Sequence, residues 1–291
     1  MSVQPAGFVK AAGLRGRLPA AQHGGMIIAQ ISDMHIRAPG KLLLGRVDTA
    51  GFLARAVAAL GALDPAPDLV LITGDLVEAG KPEEYAHLAA LIAPLKPPVF
   101  LIPGNHDARD AMRAAFPAHR YLPREGFLQY ALEDWPVRIL ALDTLVPGEP
   151  GGALCAERLG WLERALSAAP GRPALVMMHH PPFATGVLHM DRYGLAHADG
   201  LAAVIARHPN VERIVAGHLH RAIQARFAGT FASTCPSTAH QIALDLVPGT
   251  PLRYVFEPPG LQLHIWSEGA GLVTHTVPVG DFEGPYTYAK S

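Results

Sequence analysis

The stretch Gly104-Asn105-His106-Asp107 puts three oxygen or imidazole side chains directly after a glycine. It follows the apolar run Val99-Phe100-Leu101-Ile102, which reads as a short buried strand stopped by Pro103. A glycine at that point lets the backbone turn sharply. The donors then stand at the strand's carboxyl edge, where open α/β sheets place their ligands. A Gly-Asn-His-Asp tetrapeptide also reads as an ordinary polar turn, but the same event recurs along the chain. The apolar run 27–31 leads into Asp33 and His35, and 69–72 into Thr73-Gly74-Asp75. The run 174–178 leads into His179-His180, and 211–216 into Gly217-His218-Leu219-His220. Taken singly, each has a bland reading: an Asp that caps a helix, a His at the surface. In extended backbone, Asp33 and His35, like His218 and His220, direct their side chains to one side. The pooled donors are carboxylate, amide and imidazole, with no thiolate, which suits Fe, Mn, Zn or Co. They exceed the three or four protein ligands of a typical zinc ion and would serve two ions sharing a carboxylate.

Strands and helices alternate in the order needed to bring these strand ends together. Helical spacing of apolar residues predicts helices over 47–63, 82–93, 108–116, 157–168 and 201–208. The result is an α/β chain in packed layers. Within the fourth helix, Leu159, Leu162 and Leu166 share a face, and Trp161 reads as core or interface. The loop 185–200 carries His189, Asp191, Arg192, Tyr193 and His197 and has the length of a pocket-shaping segment. From Ile223 onward short β-like runs alternate with turns. They are expected to complete a second sheet, with the last residues forming a lid or subunit contact. Residues 1–25 lack a core pattern and read as a flexible extension, 26–250 as the main domain that carries the strand-end donors, and 251–291 as C-terminal strands and a lid or oligomer contact. Met26 is as good a candidate start as Met1.

Composition narrows the classes. The chain has 291 residues, 49 % hydrophobic, with formal net charge −1. No apolar run approaches the ~20 residues of a membrane span, and the charge balance gives no footprint for a nucleic-acid polymer or an anionic membrane. Only Cys155 and Cys235 are present, which fits a reducing, cytoplasmic setting rather than a disulfide scaffold.

In this order, Asp33-x-His35, Gly74-Asp75, Gly104-Asn105-His106-Asp107, His179 and Gly217-His218-x-His220 resemble the calcineurin-like metallophosphoesterases. Within them the chain is most similar to the class III cyclic-nucleotide phosphodiesterase group and its bacterial glycerophosphodiesterases. The likeness extends from about residue 26 to 288 and includes Gly80-Lys81-Pro82-Glu83-Glu84-Tyr85, His179-His180-Pro181-Pro182, Met190-Asp191 and Gly284-Pro285-Tyr286. It implies a four-layer α-β-β-α sandwich and a dinuclear centre. By position, Asp33, His35 and His220 would hold one ion, Asn105, His179 and His218 the other, and Asp75 would bridge them. His106 would contact substrate, His180 would pack beside the centre, and Glu78 and Asp107 would orient loops and neighbouring histidines. Formal counting of two divalent ions, two Asp and one hydroxide leaves about +1, which attracts an anionic diester. The expected reaction is hydrolysis of small phosphodiesters by metal-activated hydroxide. Glycerophosphodiesters come first and 3',5'-cyclic nucleotides second, followed by a phosphomonoesterase or a non-catalytic metal scaffold. The resemblance also implies a homo-oligomer with C-terminal contacts.

Overall fold

The computed structural model describes residues 25–288. The expected extension at 1–25 therefore lies almost wholly outside the described residues, except that Gly25 already belongs to the first strand.

β1 (Gly25–Ile31), β2 (Leu69–Ile72) and β3 (Val99–Leu101) are apolar runs paired in parallel, separated by α1 (Thr49–Gly61) and α2 (Pro82–Ile92). β2 reads Leu-Val-Leu-Ile and is buried at every position, as a parallel strand covered on both faces requires. Asp48 starts α1 by accepting the Gly51 N–H at 2.9 Å. Pro82 occupies the first turn of α2, where its missing N–H costs nothing. After α3 (Arg109–Ala115) the chain passes to a second sheet through β4 (Tyr130–Leu132) and β5 (Arg138–Ala141). The short β6 (Gly152–Ala153), α4 (Ala156–Ser167) and β7 (Ala174–Met177) follow, then α5 (Leu188–Asp191), β8 (Leu195–Ala196) and α6 (Ala198–Ile205). β9 (Val211–Ala216), β10 (Ile223–Phe227) and β11 (Thr230–Thr234) complete that half. β12 (Gln241–Ile242) and β13 (Tyr254–Val255) pair with each other, and β14 (Gly260–Ser267) and β15 (Gly271–Pro278) form a closing hairpin.

The two main sheets run β15-β14-β1-β2-β3 and β10-β11-β9-β7-β5-β4. One core joins their facing sides with α1, α2 and α3. It holds Ile28 and Ile31 of β1, Leu53 of α1, Leu88 of α2, and Ile139, Met177 and Val215 from the second sheet. A second core lies under α4 and α6, with Leu162, Leu166, Leu201 and Ile205. Helix, sheet, sheet, helix is thus the layer order, as the resemblance implies. Leu162 and Leu166 are fully buried, and Leu159 and Trp161 pack partly buried against the same core.

Two expectations change. The C-terminal runs do not all join the second sheet: β10 and β11 do, but β14 pairs antiparallel with β1 from Gly25↔Ser267 to Gln30↔Gln262. The hairpin assigned to a region at 251–291 is therefore built into the first sheet, since strand alternation identifies a strand without naming its partner. The helix expected at 201–208 begins and ends three residues earlier. His197, in the left-handed region at φ 58°, starts it, and Pro209 follows its last turn. No helix among the described residues is long and apolar enough to cross a membrane.

Candidate metal centre

The ends of β1, β2 and β3 in the first sheet and of β7 and β9 in the second meet at one edge. All seven expected ligands, Asp33, His35, Asp75, Asn105, His179, His218 and His220, converge there. Asp33, His35, Asp75, His179, His218 and His220 are all buried. Their backbone is not the extended one expected from the two-residue spacing. Asp33 (φ 53°), His35 (46°), Asp75 (47°), His218 (71°) and His220 (51°) all lie in the left-handed region. That region costs a non-glycine residue about 1–2 kcal/mol, and such residues cluster where the surrounding structure over-determines them. The side chains do share one side, but through sharp turns. Two glycines permit the crowding. A Cβ on Gly104 would stand 2.2 Å from Asp75 Oδ1, and one on Gly217 would stand 2.1 Å from Ser32 Oγ.

Hydrogen bonds fix the imidazole faces. His35 Nδ1–H donates to Glu78 Oε2 at 2.8 Å, and His220 Nδ1–H donates to the His240 carbonyl at 2.9 Å. Both Nε2 atoms are then left facing each other at 3.1 Å, with Asp33 Oδ1 3.7 Å from His220 Nε2. Two bare lone pairs at that separation need a cation between them: a shared proton without metal, a metal ion with it. The other half repeats the logic. His179 Nδ1–H donates to the Thr73 carbonyl at 2.8 Å, leaving Nε2 3.1 Å from Asn105 Oδ1. His218 Nδ1 lies 3.1 Å from the same oxygen. Between the halves stands Asp75, with Oδ2 3.5 Å from His35 Nε2 and 3.4 Å from His179 Nε2. Its carboxyl is held well below the usual range: burial opposes the charge, but His179, His106 and His35 outweigh it. The donor set fits two metal ions.

His180 adds a third ring beside His179 and His218, yet it has no nitrogen to spare. Nδ1 accepts from Thr144 Oγ1 at 2.8 Å, and Nε2–H donates to the Pro150 carbonyl at 3.2 Å. Asp107 ties the loops together. It accepts from the Leu76 and Gly104 N–H groups at 3.1 and 2.8 Å and from Tyr85 Oη at 2.9 Å. His106 has 36 % of its side chain exposed, and its ring stands edge-on to His35 at 4.7 Å. Its backbone N–H donates to Asp75 Oδ1 at 3.0 Å.

Sequence reading missed two residues. His240, whose carbonyl orients His220, follows no apolar run and gives no local signal. Gln30 does give one, a lone amide inside the apolar run of β1.

The titration of these rings has a measurable consequence. Burial opposes the His35 cation, but Glu78, Asp75 and Asp33 raise its pKa to about 9. Asp75 and Asp33 likewise outweigh burial at His179 and raise it to about 9. Burial and neighbouring histidines push His218 and His220 down to about 3. In metal-free protein near neutrality His35 and His179 therefore carry protons that a metal ion must displace. Uptake is expected to release close to two protons at about pH 7, and affinity should rise with pH until both rings are neutral above about 9. Calorimetry in buffers of different ionisation enthalpy reads that count. Uptake without proton release at pH 7 would contradict it.

The calcineurin-like phosphoesterase family model matches residues 26–222, and the chain belongs to that family. It is 38 % identical over 264 residues to a probable glycerophosphodiester phosphodiesterase GpdQ of Arcobacter nitrofigilis, covering 90 % of this chain and 97 % of that one. A probable cyclic nucleotide phosphodiesterase of Rhodopseudomonas palustris is 38 % identical over 250 residues, covering 84 % and 89 %. The fold matches a dimetal phosphatase of Danio rerio with TM-score 0.58 at 14 % identity, covering 88 % of this chain and 99 % of that one. The family works with a dinuclear metal centre, and the clusters described above fit it.

Proposed function

We propose that this chain is a metal-dependent phosphodiesterase that hydrolyses small phosphodiesters, glycerophosphodiesters first and 3',5'-cyclic nucleotides second. The observation that carries the reading is Asp75 Oδ2, nearly equidistant from His35 and His179. Asp33, His35 and His220 would hold one ion, Asn105, His179 and His218 the other, with Asp75 shared. Fe, Mn, Zn and Co all suit these nitrogen and oxygen donors. When bound, the two ions supply positive charge to the phosphoryl oxygens and lower the pKa of water.

The chain itself supplies proton control. His106 Nδ1–H donates to the Glu78 carbonyl at 2.9 Å. A proton for the leaving oxygen must therefore come from Nε2, while Glu78 Oε2 stands 3.4 Å from Nδ1. Glu78 also holds His35, so one carboxylate serves both a ligand and the proton donor.

The cytoplasmic setting is part of the same reading and is supported by two free thiols. So is a homo-oligomer. Phe282, Tyr286 and Tyr288 are 62 %, 71 % and 97 % exposed and would serve as the subunit contact.

Turnover of bis(p-nitrophenyl) phosphate with and without chelator tests the reading, and comparison with the monoester separates diesterase from monoesterase. A panel of glycerophosphocholine, glycerophosphoethanolamine, cAMP and 2',3'-cAMP with Mn-loaded protein then ranks the substrates. No turnover in Mn-loaded protein would leave a metal scaffold.

Asn105 is the one amide among the proposed ligands, a neutral oxygen donor that attracts a cation less than a carboxylate does. Metal titration of apo-protein is therefore expected to show a tight and a weaker event, with Asn105→Ala weakening only the second, by about 10–100-fold if it resembles loss of a supporting partner. Two equally tight events, both unchanged in Asn105→Ala, would remove Asn105 from the centre.

A further inference from the structure

Gln30 sits between the two main sheets and is fully buried. Its Nε2 donates to Thr73 Oγ1 at 2.9 Å and to the Ala216 carbonyl at 2.9 Å. Its Oε1 accepts from His264 Nε2 at 3.0 Å. A carbonyl can only accept, so the amide orientation is determined by its partners. Burial pushes the His264 pKa down to about 3, leaving a neutral ring that takes a hydrogen bond from Thr274 Oγ1 on Nδ1 at 2.8 Å.

The partners of this amide are not arbitrary core groups. Thr73 stands two residues before Asp75, and its carbonyl holds His179. Ala216 stands two residues before His218, and Gln30 itself three before Asp33. One side chain therefore links three strands that carry candidate ligands, β1 and β2 of the first sheet and β9 of the second. Each ion, on the reading above, draws donors from both sheets. The first takes Asp33, His35 and Asp75 from one and His220 from the other. The second takes Asp75 and Asn105 from one and His179 and His218 from the other. Metal ligation tolerates errors of only about 0.2 Å. Apolar contact between sheets is non-directional and sets spacing loosely, whereas hydrogen bonds are directional. A buried amide also adds little net stability over an apolar side chain of its shape, so stability alone does not call for one here.

We propose that Gln30 is a positioning residue of the metal centre, setting the separation of the two sheets across which both ions are held. This rests on the two-ion reading.

The test compares Gln30→Met, similar in length but without hydrogen bonds, with Gln262→Met. Gln262 is the β14 partner of Gln30; its side-chain amide donates to the Thr234 carbonyl on β11 at 3.1 Å and to Thr276 Oγ1 on β15 at 3.5 Å, and neither of those strands carries a candidate ligand. Calorimetric titration of Mn into each metal-free protein is read beside the Tm of the same samples. Gln30→Met is expected to weaken Mn uptake about 10–100-fold, most at the second ion, which takes half its donors from each sheet. Gln262→Met should stay within about threefold of wild type even if its Tm falls. Wild-type Mn affinity in Gln30→Met would overturn the proposal whatever its Tm, and so would equal weakening in both variants. If Gln30→Met does not fold, Gln30→Glu takes its place under the same criteria, because it keeps the shape but has one proton at most for two acceptors. Wild-type protein that takes up fewer than two ions would instead overturn the two-ion reading.

Discussion

Asp75→Ala is expected to abolish diester turnover and to lower metal content at both positions at once. The same Oδ2 approaches His35 from one side and His179 from the other, so its loss removes charge from two ions. Loss of a partner that merely supports a ligand costs about 10–100-fold in affinity or activity, and a shared ligand should cost more, above about 10³-fold in turnover. Oδ1 also accepts the His106 backbone N–H, so the alanine variant loosens the adjoining loop as well. Asp75→Asn separates these effects. It keeps the shape and the acceptor for His106 but not the charge. If charge dominates, Asn behaves like Ala, and metal analysis beside turnover shows it. Two bound ions with full turnover in Asp75→Ala would take the residue out of the centre.

The candidate donors were legible in the sequence because metal chemistry restricts residue types, and a strand end restricts where they stand. Asp33, His35, Asp75, Asn105, His179, His218 and His220 could thus be picked out before their contacts were known. Backbone conformation was less legible. Asp-x-His and His-x-His suggest an extended strand with alternate residues on one side, yet these positions turn through the left-handed region. The difference arises because tight turns bring five strand ends into a shell a few ångströms wide, and only the assembled site makes that strain tolerable. Pairing was hidden for a different reason. The alternation in β14 identifies a strand, but its partner β1 is more than two hundred residues away in the chain, and no local pattern encodes that choice. His240 acts through its backbone carbonyl, which any residue type would supply equally. Gln30 was visible as a polar residue in an apolar run, but its partners were not.

His106→Ala is expected to lose turnover while keeping both metals. His106 adjoins Asn105 in sequence, but its ring turns toward Glu78, with Nδ1 committed to the Glu78 carbonyl and part of the side chain open to solvent. That leaves Nε2 as the only position from which it can give up a proton to a leaving oxygen. Proton donation matters in proportion to the basicity of the leaving group. Diesters that release an alkoxide, such as glycerophosphocholine, should therefore lose about 10²–10⁴-fold, the usual range for general acid-base assistance. Bis(p-nitrophenyl) phosphate releases a stable phenolate and should lose much less. The ring also lies within reach of His35 and Asp75, so metal content must be measured in the same preparations. An equal and small loss for both substrates would make His106 a group that positions substrate without donating. A lost metal ion would make it a ligand. Glu78→Gln supplies the complementary measurement, because it keeps the backbone carbonyl that holds Nδ1 and removes the carboxylate charge beside His106 and His35. If that charge assists proton donation from His106, Glu78→Gln should lower kcat for glycerophosphocholine more than for bis(p-nitrophenyl) phosphate. An equal effect on both substrates, with metal content intact, would separate Glu78 from the proton donor and leave it only its hydrogen bond to His35.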